Sequence, residues 1–475
     1  MSSHNALAAS PLSRPILEEL AEAKHRARAK AEVFVWNPTA EDRTSRAPRK
    51  GSAPPSRPLR VLLSDSGKSA FTAMQDPRIR LVSMAAVADE PPDVLVITHA
   101  DRLRLNDSSK DVPSEVWARL ASGEVTLVFD ASGEGNPHKA DRTEILHGFL
   151  REKGVPLQAA AYMTQDREYG RHYADYCGAT GLGPNQMRVW IFDRYIQSLF
   201  SHPVERGEAL FEERFALYCS RPRQRARRFI SLNYTVRPIR AIFLLSLLRD
   251  SLWDKGFISV GQVGLTNGGR MLSREQQLAK LHELSGLRSL VAELAPYLDE
   301  LERRAPITLG VDPAADAKVL KRALLQASPL AEYHQSWFSV VIDSHVSDRL
   351  HRITEKPFKP LVNFHPMILL GAAWARRLVS TYGFESFPAL FDESFDDVPD
   401  HQHRFEAVYD QVHRLCLIPE AELATRELDA RGAVLFNAWW GLVELPQLFR
   451  SCIEAALVDE LVDLIETRTR GALTS

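Results

Sequence analysis

Short apolar runs, rich in β-branched residues and separated by stretches of helix length, recur along this chain and restrict it to few folds. The first series is Leu59 to Ser64, Ile79 to Met84, Val94 to Thr98, Val125 to Phe129 and Ala159 to Met163. Such runs read as strands buried on both faces. Helical patterns lie between them, among them Ser114 to Ala121 and Asp141 to Lys153. Strands that alternate with helices predict a parallel sheet covered on both sides. Asp175 to Cys177 and the aromatic segment Val189 to Phe200 lead out of this half. A second series follows: Phe229 to Asn233, Ile258 to Val263, Phe338 to Ile342 and Met367 to Leu370. Arg237 to Leu248 reads as an apolar helix within it, and Leu272 to Leu301 as helical with mixed charge. Beyond Asp400 the expectation is helices at Gln402 to Cys416, Glu420 to Arg431 and Phe449 to Thr467.

The punctuation gives a division. Residues 1–57 read as an N-terminal extension and linker, because Thr39 to Arg57 is rich in Pro, Ser, Arg and Lys. Pro15 to Phe34 within it has a helical pattern; a mobile extension and a docking helix are the two readings. Residues 58–225 are expected to form one α/β domain, 226–400 a second, and 401–475 a helical C-terminal segment. The basic run Arg221 to Arg228 is read as a solvated connector.

Composition narrows the function classes. The chain has 475 residues, a formal net charge of −2 and 45% hydrophobic residues, the profile of a globular enzyme with no bulk attraction to nucleic acid. Cys177, Cys219, Cys416 and Cys452 are scattered without a Cys-x-x-Cys pair, which argues against a zinc ribbon or a disulfide scaffold. No apolar run approaches the ~20 residues that span a bilayer. The first residues lack a basic start followed by an apolar core. A cytoplasmic enzyme with no transmembrane segment is therefore expected.

The stretch from Ser339 to Gly371 concentrates the chemistry. A buried strand ends at Ile342, a polar loop follows, and Ile353-Thr354-Glu355-Lys356 reads as the start of a short helix. Thr354 is expected to cap it, with Pro357 in its first turn and Pro360 limiting its length. A carboxylate and an ammonium thus stand side by side at a strand-loop-helix junction, where open α/β sheets bind nucleotides and anions.

The blocks ITEKPFKP, HPMILLG and YGFESFPALFDESFD resemble the C-terminal half of bacterial and phage glycosyltransferases of the GT-B type, with a TEK core like that of α1,3-fucosyltransferases. Thr354, Glu355, Lys356, Lys359 and Pro360 match the first motif. Gly383, Phe384, Phe387, Asp392, Glu393, Ser394 and Asp396 match the tail, with Phe395 in place of the usual Tyr. The resemblance covers roughly Ile230 to Arg404. It implies two Rossmann-like domains facing across a cleft, with the donor nucleotide sugar held by the second. It also implies that Glu355 accepts ribose hydroxyls or pairs with a cation while Lys356 faces phosphate. FISLNYTVRPIRAIFLL resembles the family's Leu-Asn-x-x-x-Arg-x-x-Arg opening of that domain. Asn233 then ends a strand, and Arg237 and Arg240 sit in the following helix's first turn. Cations are unfavourable there, which invites a functional reason for them; Arg240 is favoured over Arg237.

Sugar transfer from a nucleotide donor needs positive charge or helix-end N–H groups on the leaving diphosphate, and a base for the acceptor hydroxyl if the sugar inverts. No Asp-x-Asp lies between an apolar strand and its loop, so a metal-independent reaction without a separate cofactor is expected. The base is sought in the first domain. Asp130 follows the strand Val125 to Phe129, and Glu134 lies between Gly133 and Gly135 just beyond it. Glu134 is read as the base and Asp130 as the residue that fixes the loop, with His99 and His138 behind them; His365 reads as structural. The acceptor is a glycan, a lipid-linked precursor or a protein. A noncatalytic nucleotide- or sugar-binding protein with the same fold, and a transferase that modifies nucleic acid, are the alternatives; the neutral overall charge counts against the last.

Overall fold

The computed structural model describes residues 14–36, 57–65, 69–74, 76–98, 100, 105–133, 136–183, 185–200, 204–264, 270–283, 287–310, 330–343, 346 and 350–474. The chain forms two compact units. One comprises Val35–His202, Arg349–Ile353 and Pro446–Ser475; the other comprises Met1–Phe34, Pro203–Asp348 and Thr354–Leu445.

The first unit holds six parallel strands: β1 (Leu59–Leu63), β2 (Ile79–Val82), β3 (Val94–Thr98), β4 (Thr126–Asp130), β5 (Ala160–Thr164) and β6 (Arg188–Ile191). Their order is β2-β1-β3-β4-β5-β6. The interior strands β3, β4 and β5 are buried at every position, which is why their sequences run apolar without alternation. β6 was not recognised in the sequence because, as an edge strand, it is only half covered and carries Arg188. Leu95, Ile97, Leu127, Phe129, Phe149 and Tyr162 belong to the core of this unit. The helix Ala455–Thr474 also belongs to it: Arg188 meets Asp463 at 2.7 Å, and Leu457, Val458 and Leu461 are buried.

The second unit holds β7 (Phe229–Asn233), β8 (Gly256–Val260), β9 (Phe338–Ile342) and β10 (Met367–Leu370), all parallel, in the order β10-β9-β7-β8. Counted within each unit, both sheets wind alike: the second strand lies on one side of the first, and the third on the other. Each reversal makes a switch point, β1/β3 in one sheet and β7/β9 in the other. The helix Pro238–Arg249 is buried continuously from Ile239 to Leu247, so its sequence shows no amphipathic face. The expected single helix over Leu272 to Leu301 is broken into Arg274–Glu283 and Arg288–Leu294, followed by a 3₁₀ turn over Ala295–Tyr297; Pro296 removes a helix N–H there.

Two sequence expectations are corrected in this unit. The helix Arg14–Glu32 is no mobile extension. It lies on the helix Glu420–Trp439, with Leu20, Ala23 and Ala27 buried, Arg26 bonded to Glu385 at 2.5 Å, and Lys24 4.1 Å from the Trp439 ring. The basic run is not simply solvated either. Arg225 donates two bonds to Glu427, at 2.9 and 2.7 Å, and one to the Ser336 carbonyl, while Arg221 stacks 3.5 Å from the Tyr218 ring centre. Burial of these stems and forks against aromatic faces outweighs hydration of the guanidinium groups.

The tail motif serves packing and capping. Asp396 accepts the N–H groups of Arg376 at 2.8 Å and Arg377 at 3.0 Å, completing the first turn of the helix Ala375–Thr381. Asp392 caps the 3₁₀ turn Glu393–Asp397 through the Ser394 N–H. Gly383 has φ +90°, and a Cβ there would stand 2.4 Å from the Trp440 ring. Only glycine fits both demands.

Candidate functional site

The site grows out of an incomplete strand pairing. β7 pairs with β8 along five residues, but with β9 only at Phe229↔Phe338 and Ile230↔Ser339. Beyond that point the Ser231 hydroxyl, not a backbone N–H, reaches the Val340 carbonyl at 2.9 Å. The strands part at their C-terminal ends, at the switch point, and a cavity of about 830 Å³, counted with its open mouth, lies there. Ile230, Leu232 and Val341 give it an apolar wall; Arg240, Glu355, Lys356 and Lys359 give it charge.

Five of the nominated residues lie in or beside this crevice with different commitments. Arg240 spends its fork on architecture. Its Nε and Nη2 donate to the Ile342 carbonyl at 3.1 and 2.9 Å, and Nη1 to the Thr235 carbonyl at 2.9 Å, so it straps the ends of β7 and β9 across the gap. Burial pulls its pKa down to about 10, with Asp343 opposing and Arg237 adding. Lys356 lies 3.4 Å from both Glu355 and the Thr354 hydroxyl. Burial lowers the pKa of Lys359, opposed by Glu355 and reinforced by Lys356. For Glu355 burial pushes upward, but Lys356 and Lys359, with a backbone hydrogen bond, together turn the net shift downward. Three cations therefore stand with two carboxylates, Glu355 in the slot and Asp343 beside Arg240, around an apolar wall, and the one positive charge in excess favours an anion with an uncharged body.

Thr354 does not cap a helix. Its hydroxyl donates to Asp343 at 2.9 Å, tying the motif back to the end of β9. The helix begins later, as Phe358–Leu361, with Pro357 at the cap position. Pro360 is tolerated as its third residue, where a helical N–H has no partner anyway. Asn233 is fully buried at the end of β7. Its amide donates to Ser231, and its Oδ1 has no hydrogen-bond partner among the described residues. Arg237 occupies the N-cap position of the helix Pro238–Arg249 without a side-chain capping bond, and its guanidinium makes no ion pair among the described residues. His365 is buried, held between the Ser339 hydroxyl at 2.7 Å and the Ser336 carbonyl at 3.0 Å, with its pKa driven down by burial.

In the six-stranded unit the nominated carboxylates part company. Asp130 is buried and accepts four hydrogen bonds: Ser69 Oγ at 2.7 Å, Ala70 N at 2.9 Å, Ser132 N at 3.0 Å and Ser132 Oγ at 2.6 Å. That occupies both oxygens and fastens the end of β4 to the helix Ala70–Ala73. Glu134 and His99 lie outside the described residues. His138 is held by the Thr143 hydroxyl at 2.9 Å beside Tyr169, and burial, with His172 and His147, lowers its pKa.

Sequence reasoning passed over Asp166, just beyond β5. It is fully buried, and its Oδ1 accepts the N–H groups of His351 at 3.2 Å and Glu168 at 3.3 Å. Its Oδ2 has no hydrogen-bond partner among the described residues, and burial raises its pKa to about 6. Nothing in the local sequence distinguishes it from a loop aspartate; its burial depends on His351, far along the chain.

Among the described residues no group of three or more His, Cys, Asp or Glu is placed to hold a metal ion, and no helix is long and apolar enough to cross a membrane. No family model and no curated protein matches the chain. Among solved structures, the N-terminal domain of trehalose-6-phosphate phosphatase from Candida albicans is similar over 78% of this chain and 74% of its own, with 12% identity and a TM-score of 0.35. A superposition of that quality carries no argument about fold or function.

Proposed function

We propose that the protein is a glycosyltransferase of the GT-B type, moving a sugar from a nucleoside-diphosphate donor to a hydroxyl acceptor without a metal ion and with inversion. The observation that carries the reading is the cation-lined cavity where β7 and β9 part, at the C-terminal edge of a parallel sheet. Lys356 and Lys359 would hold the diphosphate and take up the charge that grows on it as the sugar leaves. Glu355, beside them, would accept donor hydroxyls, as the TEK resemblance implies. The apolar wall would take the uncharged part of the donor.

The acceptor hydroxyl must lose a proton as the new bond forms. Glu134 is the first candidate base. Asp166 joins it, since its pKa near 6 and its unpartnered oxygen suit a proton acceptor at neutral pH. Asp130, with four hydrogen bonds already accepted, suits a positioning role.

The test is a calorimetric screen of nucleoside diphosphates and their sugars against wild-type protein and Lys356→Ala. Binding that weakens about 10- to 150-fold in the variant, the scale of a hydrogen bond to a charged group, supports the reading. Equal affinity in both proteins removes Lys356 from the donor site. Turnover that persists in excess chelator supports metal independence; turnover restored only by magnesium or manganese refutes it.

A further inference from the structure

A second cavity lies in the same unit, of about 1160 Å³ with its open mouth included, and Thr235 lines both. Its walls come from the turn after β7, from Val263 and Gly264 after β8, and from the helix Arg274–Glu283. Its charged lining residues are Arg237, Lys280 and Glu283. Gln277 also faces it, but its amide is engaged by the Leu272 carbonyl at 3.2 Å and Glu302 at 3.0 Å.

The two cations, half-buried Arg237 and exposed Lys280, outnumber the one lining carboxylate, Glu283. Arg237 Nε is shut off from solvent without a hydrogen-bond partner among the described residues. Neither the Arg237 guanidinium nor the Lys280 ammonium forms a hydrogen bond or ion pair among the described residues. Glu283 follows Lys280 by one helical turn, yet no ion pair joins them. Arg237 also stands at a helix N-terminus, where the backbone dipole disfavours a cation, and close enough to Arg240 to depress its pKa. A half-buried cation held against its dipole, beside another cation and with no ion pair among the described residues, favours an anion from outside the fold.

We infer that the second cavity takes an anionic group, a carboxylate or a phosphate, separate from the one over Lys356 and Lys359. That both anions belong to one ligand rests on the proposed donor site. On that reading the donor is a nucleotide sugar with a second anionic centre, either an acidic sugar or an additional phosphate on the nucleoside.

Titration of the full chain with inorganic pyrophosphate, followed by calorimetry, tests this. Two sites are expected in the wild type. Arg237→Met with Lys280→Met should weaken one at least tenfold and spare the other; Lys356→Met with Lys359→Met should do the reverse. Arg237→Lys with Lys280→Arg should retain both, which separates charge from damage to the fold. A single wild-type site that is indifferent to Arg237→Met with Lys280→Met, or two sites that both survive that pair of substitutions, overturns the inference. Failure of the donor-site reading looks different: the Arg237 and Lys280 site persists while the Lys356 and Lys359 pair makes no difference. In the Lys356→Met, Lys359→Met variant without pyrophosphate, glucuronate binding that is lost on adding Arg237→Met with Lys280→Met points to an acidic sugar, and inorganic phosphate binding lost in the same way points to a nucleoside phosphate; binding of neither anion overturns the inference.

Discussion

Asp166 and the two arginines after β7 show how side chains of one type divide their work. Burial raises the Asp166 pKa to about 6 from an ordinary 3.8. The fold therefore favours its neutral form. That contribution is fully present below about pH 4 and is lost as pH rises through about 6. Asp166→Asn is neutral throughout, so relative to wild type it should gain about 2–3 kcal/mol between pH 4 and pH 8, from the ~1.4 kcal/mol per pKa unit. Urea denaturation at both pH values checks this; a pH-independent difference would show that the carboxyl is not perturbed. Arg240→Met should lower stability by roughly 3 kcal/mol, because it leaves the Ile342 and Thr235 carbonyls without a charged donor. Arg237→Met should leave the melting temperature nearly unchanged; similar losses for both would contradict the division. The charged residues of the TEK block were legible because their order and spacing lie within one short stretch. The division between Arg237 and Arg240 was not, because it depends on a carbonyl at the end of β9, about a hundred residues away. Asp166 was hidden for the same reason.

At the scale of elements, the interior strands were readable because burial on both faces leaves an unbroken apolar run, whereas the half-covered β6 left no such mark. The helix Arg14–Glu32 was recognised as a helix but not as a packed one. Its buried stripe is Leu20, Ala23 and Ala27, too slight to stand out against its charges, and its partner helix begins at Glu420. Small side chains at i and i+4 let two helices approach closely, so the stripe works through shape more than through apolar area. Deleting residues 1–34 should uncover Trp439 and Trp440, red-shift tryptophan emission and lower the melting temperature. Unchanged emission would mean that the helix contributes no cover. The basic run Arg221 to Arg228 teaches the same lesson. Charge patterning marks arginines as exposed by default, and it is Glu427, the Ser336 carbonyl and the rings of Tyr218 and Trp337 that make burial favourable.

At the scale of the whole molecule, two parallel sheets were foreseeable from alternating strands and helices; their shared winding was not. The interleaving of the units along the chain was not, since periodicity carries no information about which distant segments meet. The six-stranded unit is closed by Pro446–Ser475. Removing residues 446–475 should raise amide exchange in β2 and β6 well before β7 and β9 are affected, since Asp459 bonds Arg78 immediately before β2 and Asp463 bonds Arg188 in β6. Equal protection with and without the segment would refute this. The same connectivity sets a schedule during synthesis. At about 5–20 residues per second, the roughly 250 residues between β6 and that closing segment take on the order of 10–50 s to emerge. For that interval the earliest sheet waits beside the ribosome with an apolar face uncovered, and in a cell it becomes a client for whatever holds nascent chains apart.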